Sequence, residues 1–223
     1  MASPLALAGC MGAGAQQDLK PTVEAAYPSP QAIRMYAALP NERFPVPAPD
    51  LTQIEPQFLR QVVDYREPYM PGTVVIDTDA RFLYLVRENQ QALRYGIGVG
   101  KEGLEFEGAG VIQYKREWPR WTPTRDMMAR EPQRYGHLGG GMEPGLANPL
   151  GARALYLFKG NVDTLYRIHG TNEDWSIGKA VSSGCIRLLN QDIIDLYGRV
   201  TNGTKVVVLQ RTSLRMAGSA APL

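Results

Sequence analysis

Short apolar runs separated by glycine-, asparagine- and aspartate-bearing turns recur along the chain from about residue 73 to 209. Thr73-Val74-Val75-Ile76-Asp77-Thr78 and Arg81-Phe82-Leu83-Tyr84-Leu85-Val86 stand on either side of Asp79-Ala80, which predicts a hairpin. The same pattern predicts strands over 92–97, 111–117, 153–158, 164–169 and 205–209. Helical spacing is confined to fewer places. Ile193, Leu196, Tyr197 and Val200 share one helical face, with Asn190 placed to cap the helix and Asp192 suited to its positive end. A short helix is expected around Pro56 to Asp64. Many short strands with one or two short helices predict a mainly β domain, a sandwich or a barrel.

Outside that pattern the chain changes character. From about 11 to 52 it is rich in Pro, Ala, Gly and Gln, including Tyr27-Pro28-Ser29-Pro30 and Phe44-Pro45-Val46-Pro47-Ala48-Pro49. Proline at that density blocks helical and ladder hydrogen bonds, so an extended tether or a disordered leader is expected there. The chain thus divides into a leader and tether over 1–52, a domain over 53–211 and a flexible tail over 212–223. Within the domain, 118–151 is the most irregular stretch. A loop of that length is expected to be functional or disordered, and Trp118 and Trp121 within it suit either stacking on substrate or core packing. Gly96-Ile97-Gly98-Val99-Gly100-Lys101 is not a phosphate loop: Tyr95 stands where its first glycine belongs, and Glu102 follows the lysine in place of Ser or Thr.

Charge and cysteine usage narrow the classes. The net charge is +2 at pH 7 and no Lys/Arg block appears, which argues against a nucleic-acid partner. Cys10 and Cys185 lie far apart in a chain of 223 residues, so no disulfide framework is expected. With two histidines and no clustered cysteines, neither a zinc site nor another cofactor is predicted. Leu7-Ala8-Gly9-Cys10 has the form of a bacterial lipobox, in which Cys10 would be acylated and anchor the protein to a membrane. The apolar stretch before it is short and lacks a basic leader, so either the true start lies upstream of Met1 or the match is chance.

The chemistry concentrates in 169–190, HGTNEDWSIGKAVSSGCIRLLN. His169 ends a predicted strand and enters a turn, where scaffolds display catalytic groups. Cys185 follows Ser182-Ser183-Gly184, small residues that leave its sulfur accessible. A thiol and an imidazole can make a nucleophile and its base at neutral pH. The alternative for Cys185 is a small buried hydrophobe, and His137, flanked by Gly136 and Leu138-Gly139, is a rival base.

This window resembles the signature of the L,D-transpeptidases, cysteine enzymes that remodel bacterial peptidoglycan. The matching residues are His169, Gly170, Thr171, Ser182, Gly184, Cys185, Ile186 and Arg187, with Asn172, Ile177, Gly178 and Asn190 also as expected. Asn148-Pro149-Leu150-Gly151 with Arg153-Ala154-Leu155 is similar to a second family stretch. Ser183 stands where many members carry a second histidine.

The resemblance implies a predominantly β sandwich and acyl transfer from a tetrapeptide stem. Cys185 would attack and His169 would act as base, its tautomer fixed by the backbone carbonyl of Gly170. Gly184, Ser183 and Cys185 surround the expected oxyanion position. Arg187 is expected either to bind a substrate carboxylate or to brace the cysteine loop, and Ser182, Thr171 and Asn172 to support the site by hydrogen bonds. Trp175 would wall the pocket or stand exposed. The implied partners are peptidoglycan stem peptides, with a second stem, an outer-membrane protein or water as acceptor, and the implied location is the periplasm or cell envelope. A carboxypeptidase and a non-catalytic peptidoglycan-binding module are the alternatives. A general cysteine peptidase is disfavoured, since the papain-type signature is missing.

Overall fold

The computed structural model describes residues 27–100, 106–182 and 184–209. Eleven strands are found among them, nine in one sheet. These are β1 (Gln61–Asp64), β2 (Val74–Asp77), β3 (Phe82–Arg87), β4 (Gln91–Gly96), β5 (Val99–Gly100), β6 (Gly108–Glu117), β7 (Arg153–Lys159), β8 (Val162–His169), β9 (Ala180–Ser182), β10 (Ile186–Arg187) and β11 (Lys205–Leu209). The large sheet runs β1-β4-β3-β2-β11-β6-β7-β8-β10, and β5 pairs with β9 separately. Most neighbours are antiparallel; β2/β11, β8/β10 and β5/β9 are parallel.

The sheet does not lie flat. Leu93 and Tyr95 on β4 share one buried apolar core with Ile168 on β8 and Ile186 on β10, although these strands stand near opposite ends of the order. Beyond β4 the backbone of Gly98 exchanges two hydrogen bonds with Arg187 of β10, at 2.9 and 2.8 Å. A sheet whose two ends meet must fold over its own apolar face, and this gives the expected sandwich-like core. Ile193, Leu196 and Val200, from the helix at Asn190–Arg199, fill that core.

All the predicted strands are present within a few residues. The helices differ. There are four among the described residues: α1 (Pro30–Met35), α2 (Arg125–Arg130), α3 (Pro132–Tyr135) and α4 (Asn190–Arg199). The irregular stretch at 118–151 therefore carries two helical segments and a 3₁₀ turn at Gly136–Leu138. At Pro56 to Asp64 the expected helix is a 3₁₀ turn, Pro56–Phe58, followed by β1, because Gln61–Asp64 finds a ladder partner in β4. Asn190 is the first residue of α4 and does not cap it. Leu189 takes the cap position without a side-chain bond, and the Asn190 amide is engaged elsewhere. Asp192 is fully buried, accepting from Tyr36 Oη at 3.0 Å with Arg60 alongside.

Residues 27–52, expected as part of an extended tether, instead pack on the domain. Ala32, Tyr36, Leu51, Ile54, Phe58 and Leu59 form an apolar cluster with Ile177 and Leu189. Glu42 reaches Arg153 at 2.7 Å and accepts from the Trp118 indole at 2.9 Å, and Gln191 donates to the Pro47 carbonyl at 2.8 Å. Proline here limits backbone bonding without preventing side-chain burial. The expected leader up to residue 26, with Cys10, and the expected tail at 212–223 lie outside the described residues.

Candidate active site

His169 is the last residue of β8, and Cys185 immediately precedes β10. The two strands are parallel, with Ile186 beside Ile168 and Arg187 beside His169. This register sets the two-residue β10 beside the last two residues of β8, so Cys185, one residue before Ile186, stands near the end of β8 that carries His169. His169, Asn172, Gly184, Cys185 and Arg187 line one cavity of about 880 Å³. Cys185 is half-buried, and Gly184 before it has φ 121°, a conformation that favours glycine.

The imidazole is 5% exposed, and its Nδ1 lies 2.5 Å from the carbonyl oxygen of Gly170. Burial holds its pKa down at about 4, the nearby Arg187 guanidinium adds to this, and the Gly170 contact works in the opposite direction. The ring is therefore neutral near pH 7. Its Nδ1–H then donates to Gly170, which leaves Nε2 as a proton acceptor. Gly170 is pinned in turn: its N–H donates to the Arg153 carbonyl at 3.0 Å.

Asn190 fastens this turn to two neighbours. Its Oδ1 accepts from Ala152 N at 2.8 Å and its Nδ2 donates to Thr171 O at 2.8 Å. A β-carbon on Gly170 or Gly151 would collide with the same amide, so the close approach requires glycine at both positions. Thr171 is buried, and its Oγ1 accepts from Glu173 N at 3.0 Å. Asn172 donates to Ala147 O at 2.9 Å, which ties the turn to the loop before β7. Ser182 pairs with Gly100 through the β5/β9 ladder, and Ser183 lies outside the described residues.

Arg187 makes an ion pair with Glu173 at 2.6 Å, and the other oxygen of Glu173 reaches Arg134 of α3 at 3.3 Å. The internal ion pair expected as one alternative for Arg187 is present. Trp121, Tyr135 and Met142 also line the cavity, and Trp121 meets Tyr135 edge-on and pairs by backbone with Met142. The irregular stretch is therefore a small folded flap on the cavity wall. Trp118 is core, 2% exposed and packed on Phe44. Trp175 is 45% exposed and His137 is exposed, and neither lines the cavity. Sequence reasoning did not find Glu173, Arg134 or the bridging role of Asn190. Only the position of Glu173 directly after His-Gly-Thr-Asn hinted at one of them.

Among the described residues no group of three His, Cys, Asp or Glu side chains could hold a metal, and no helix is long and apolar enough to cross a membrane.

Residues 71–208 match the model of the L,D-transpeptidase catalytic domain. The chain is similar to the probable L,D-transpeptidase YcfS of Escherichia coli K12, at 37% identity over 141 residues, covering 62% of this chain and 43% of that protein. It is also similar to the probable L,D-transpeptidase ErfK/SrfK of the same strain, at 35% identity over 142 residues, covering 63% and 44%. The chain thus spans less than half the length of these curated relatives. A crystal structure described as a probable carnitine operon oxidoreductase from Brucella melitensis is 55% identical, covering 72% of this chain and 99% of that one, with a TM-score of 0.49. That description belongs to the Brucella protein; the match over 71–208, more than half of this chain, decides the family. The chain belongs to the L,D-transpeptidase catalytic domain family.

Proposed function

We propose that the protein is a peptidoglycan L,D-transpeptidase that works through a cysteine acyl-enzyme. The observation that carries this reading is the joint placement of Cys185 and a neutral, buried His169 on one cavity, within a chain of this family. The His169 Nε2 takes the Cys185 proton as sulfur attacks the carbonyl between the third stem residue and the terminal D-Ala. The imidazole is a weak base before reaction. The thiolate and oxyanion formed next to it stabilise the imidazolium, since a nearby opposite charge favours the charged form. Collapse of the tetrahedral adduct breaks the C–N bond, D-Ala leaves with the proton from His169, and a thioester remains on Cys185. An acceptor amine then attacks the thioester, its proton passes through His169, and the thiol is restored.

Gly170 holds the tautomer of His169. Backbone amides of Gly184 and Cys185 are assigned to the oxyanion, each donor contributing about 3–4 kcal/mol in sites of this kind. Thr171, Asn172 and Ser182 support the turn and the cysteine loop. The side-chain amine of a second stem as acceptor gives a cross-link between third residues. An outer-membrane protein amine and water are the competing acceptors. The proposed location is the periplasm, with a lipid anchor at Cys10 resting on Leu7-Ala8-Gly9-Cys10 alone.

Incubation with purified disaccharide-tetrapeptide, with and without acceptor, followed by product mass analysis, tests the proposal. Cross-linked dimer with release of D-Ala is expected. Release without dimer would make the protein a carboxypeptidase, and no release would leave a binding module.

A further inference from the structure

Glu173 divides its carboxylate between two guanidiniums that belong to different parts of the protein. One oxygen meets Arg187, two residues after Cys185, at 2.6 Å, and the other meets Arg134 on the flap helix α3 at 3.3 Å. All three residues line the cavity that holds Cys185 and His169. The two ends of the bridge are unequal. The Arg187 side chain is 13% exposed, Glu173 is 25% exposed, and Arg134 is 57% exposed, so the flap end is wet and weakly held.

The charge around the cavity is lopsided. Its described lining contains Arg120, Arg134, Arg167 and Arg187, and Glu173 is the sole carboxylate among those residues. Arg120 and Arg167 have acidic partners of their own, Glu143 and Asp163, and Arg134 also has Glu131 at 3.5 Å, 49% exposed; none of these three carboxylates lines the cavity. Among the described residues, the space that a stem peptide would enter therefore holds one carboxylate, and it sits on the guanidiniums of Arg134 and Arg187.

We propose that Arg134 and Arg187 form the seat for a free carboxylate of the donor stem peptide, and that Glu173 occupies this seat until the peptide arrives. The proposal rests on the stem-peptide reading above. Exchanging one carboxylate for another keeps both guanidiniums paired, and the displaced Glu173, already 25% exposed, is left to water. A peptide carrying a neutral amide at the same place cannot make that exchange. Two carboxylates of a tetrapeptide stem lie close to the scissile bond: that of the terminal D-Ala, and the side-chain carboxylate of a diamino acid at the third position.

Binding, read without turnover, tests this. In a Cys185→Ala background, three tetrapeptides are titrated by calorimetry: one with both carboxylates, one amidated at the terminal D-Ala, and one amidated at the third residue. Amidation of one of the two should weaken binding about tenfold, as expected for losing a charge-assisted bidentate contact, and the affected peptide identifies the carboxylate. Adding Arg134→Gln should shrink that ratio. Adding the isosteric Glu173→Gln should tighten the unmodified peptide while the affected amide gains little. The proposal is overturned if neither amidation matters, if no peptide binds, or if Glu173→Gln weakens all three peptides equally, as a pure brace would. Melting of each variant checks that it is folded. Absence of D-Ala release by the intact enzyme, with the binding ratios as expected, would sink the acyl-transfer reading and leave the carboxylate seat standing.

Discussion

The ring of Phe58 fills the space that a β-carbon on Gly178 would need, and Gly178 has φ 80°. Phe58 belongs to the segment ahead of β1, and Gly178 lies between His169 and Cys185. Gly178→Ala therefore meets both a backbone conformation hostile to a β-carbon and a filled site. It should cost about 2–4 kcal/mol, read as a lowered urea midpoint. Adding Phe58→Leu should recover part of the loss, because only the steric part can relax. An unchanged midpoint for Gly178→Ala would show that the two elements are not packed as described.

Asn190→Ala should destabilise the protein by about 2–4 kcal/mol, since it removes two buried hydrogen bonds and strands Ala152 N and Thr171 O. Asn190→Asp keeps the acceptor for Ala152 but sets a carboxylate oxygen against the Thr171 carbonyl, so it should recover little. Thermal melts of the two variants beside the parent protein decide the matter.

Cys185→Ala should abolish D-Ala release from tetrapeptide muropeptides while the melting temperature stays close to that of the parent, because the side chain is half-buried and small. Retained release would remove the sulfur from the reaction.

The buried imidazole sets the acid side of the pH profile. With His169 held at about 4 against an ordinary 6.5, the free enzyme keeps its base down to that range. The acid limb of kcat/KM should therefore fall near 4; a limb near 6.5 would mean a solvated ring. The same shift bears on stability. A histidine depressed in the folded state contributes stability that is complete above 6.5 and is lost as pH falls toward 4.

Asp192 behaves in the opposite sense. Burial raises its carboxyl from 3.8 to about 7, opposed by the Arg60 guanidinium and the Tyr36 hydroxyl. The folded state thus holds the proton more tightly, so this contribution is complete below 3.8 and is lost as pH rises through 7. Urea midpoints measured between pH 5 and 8 should show the parent protein losing ground to Asp192→Asn as pH rises. Parallel curves would indicate that the carboxylate is ionised throughout.

Short apolar runs such as Val74–Asp77, buried at every position, and Lys205–Leu209 were legible because β-branched residues bounded by turns read as strands. The positions of His169 and Cys185 were legible through a local signature and through the strand that ends at His169. What stayed hidden depends on contacts distant in sequence. The short strand Gln61–Asp64 exists because β4 offers it an edge, and nothing in its own residues says so. Asn190 suits a cap by propensity, yet its amide finds better partners in Ala152 and Thr171. The Glu173 bridge joins Arg134 and Arg187 across separate elements, which one-dimensional charge patterning does not reveal.

Phe58, Leu59 and Tyr36 precede residue 71, where the family match begins, yet they cover Ile177 and Leu189 beside the reactive turn. Homology boundaries and foldable boundaries therefore diverge in this protein. An expression clone trimmed to 71–208 would lay bare a greasy underside beside the reactive turn, and poor solubility or sluggish turnover from such a clone would say nothing about the longer chain.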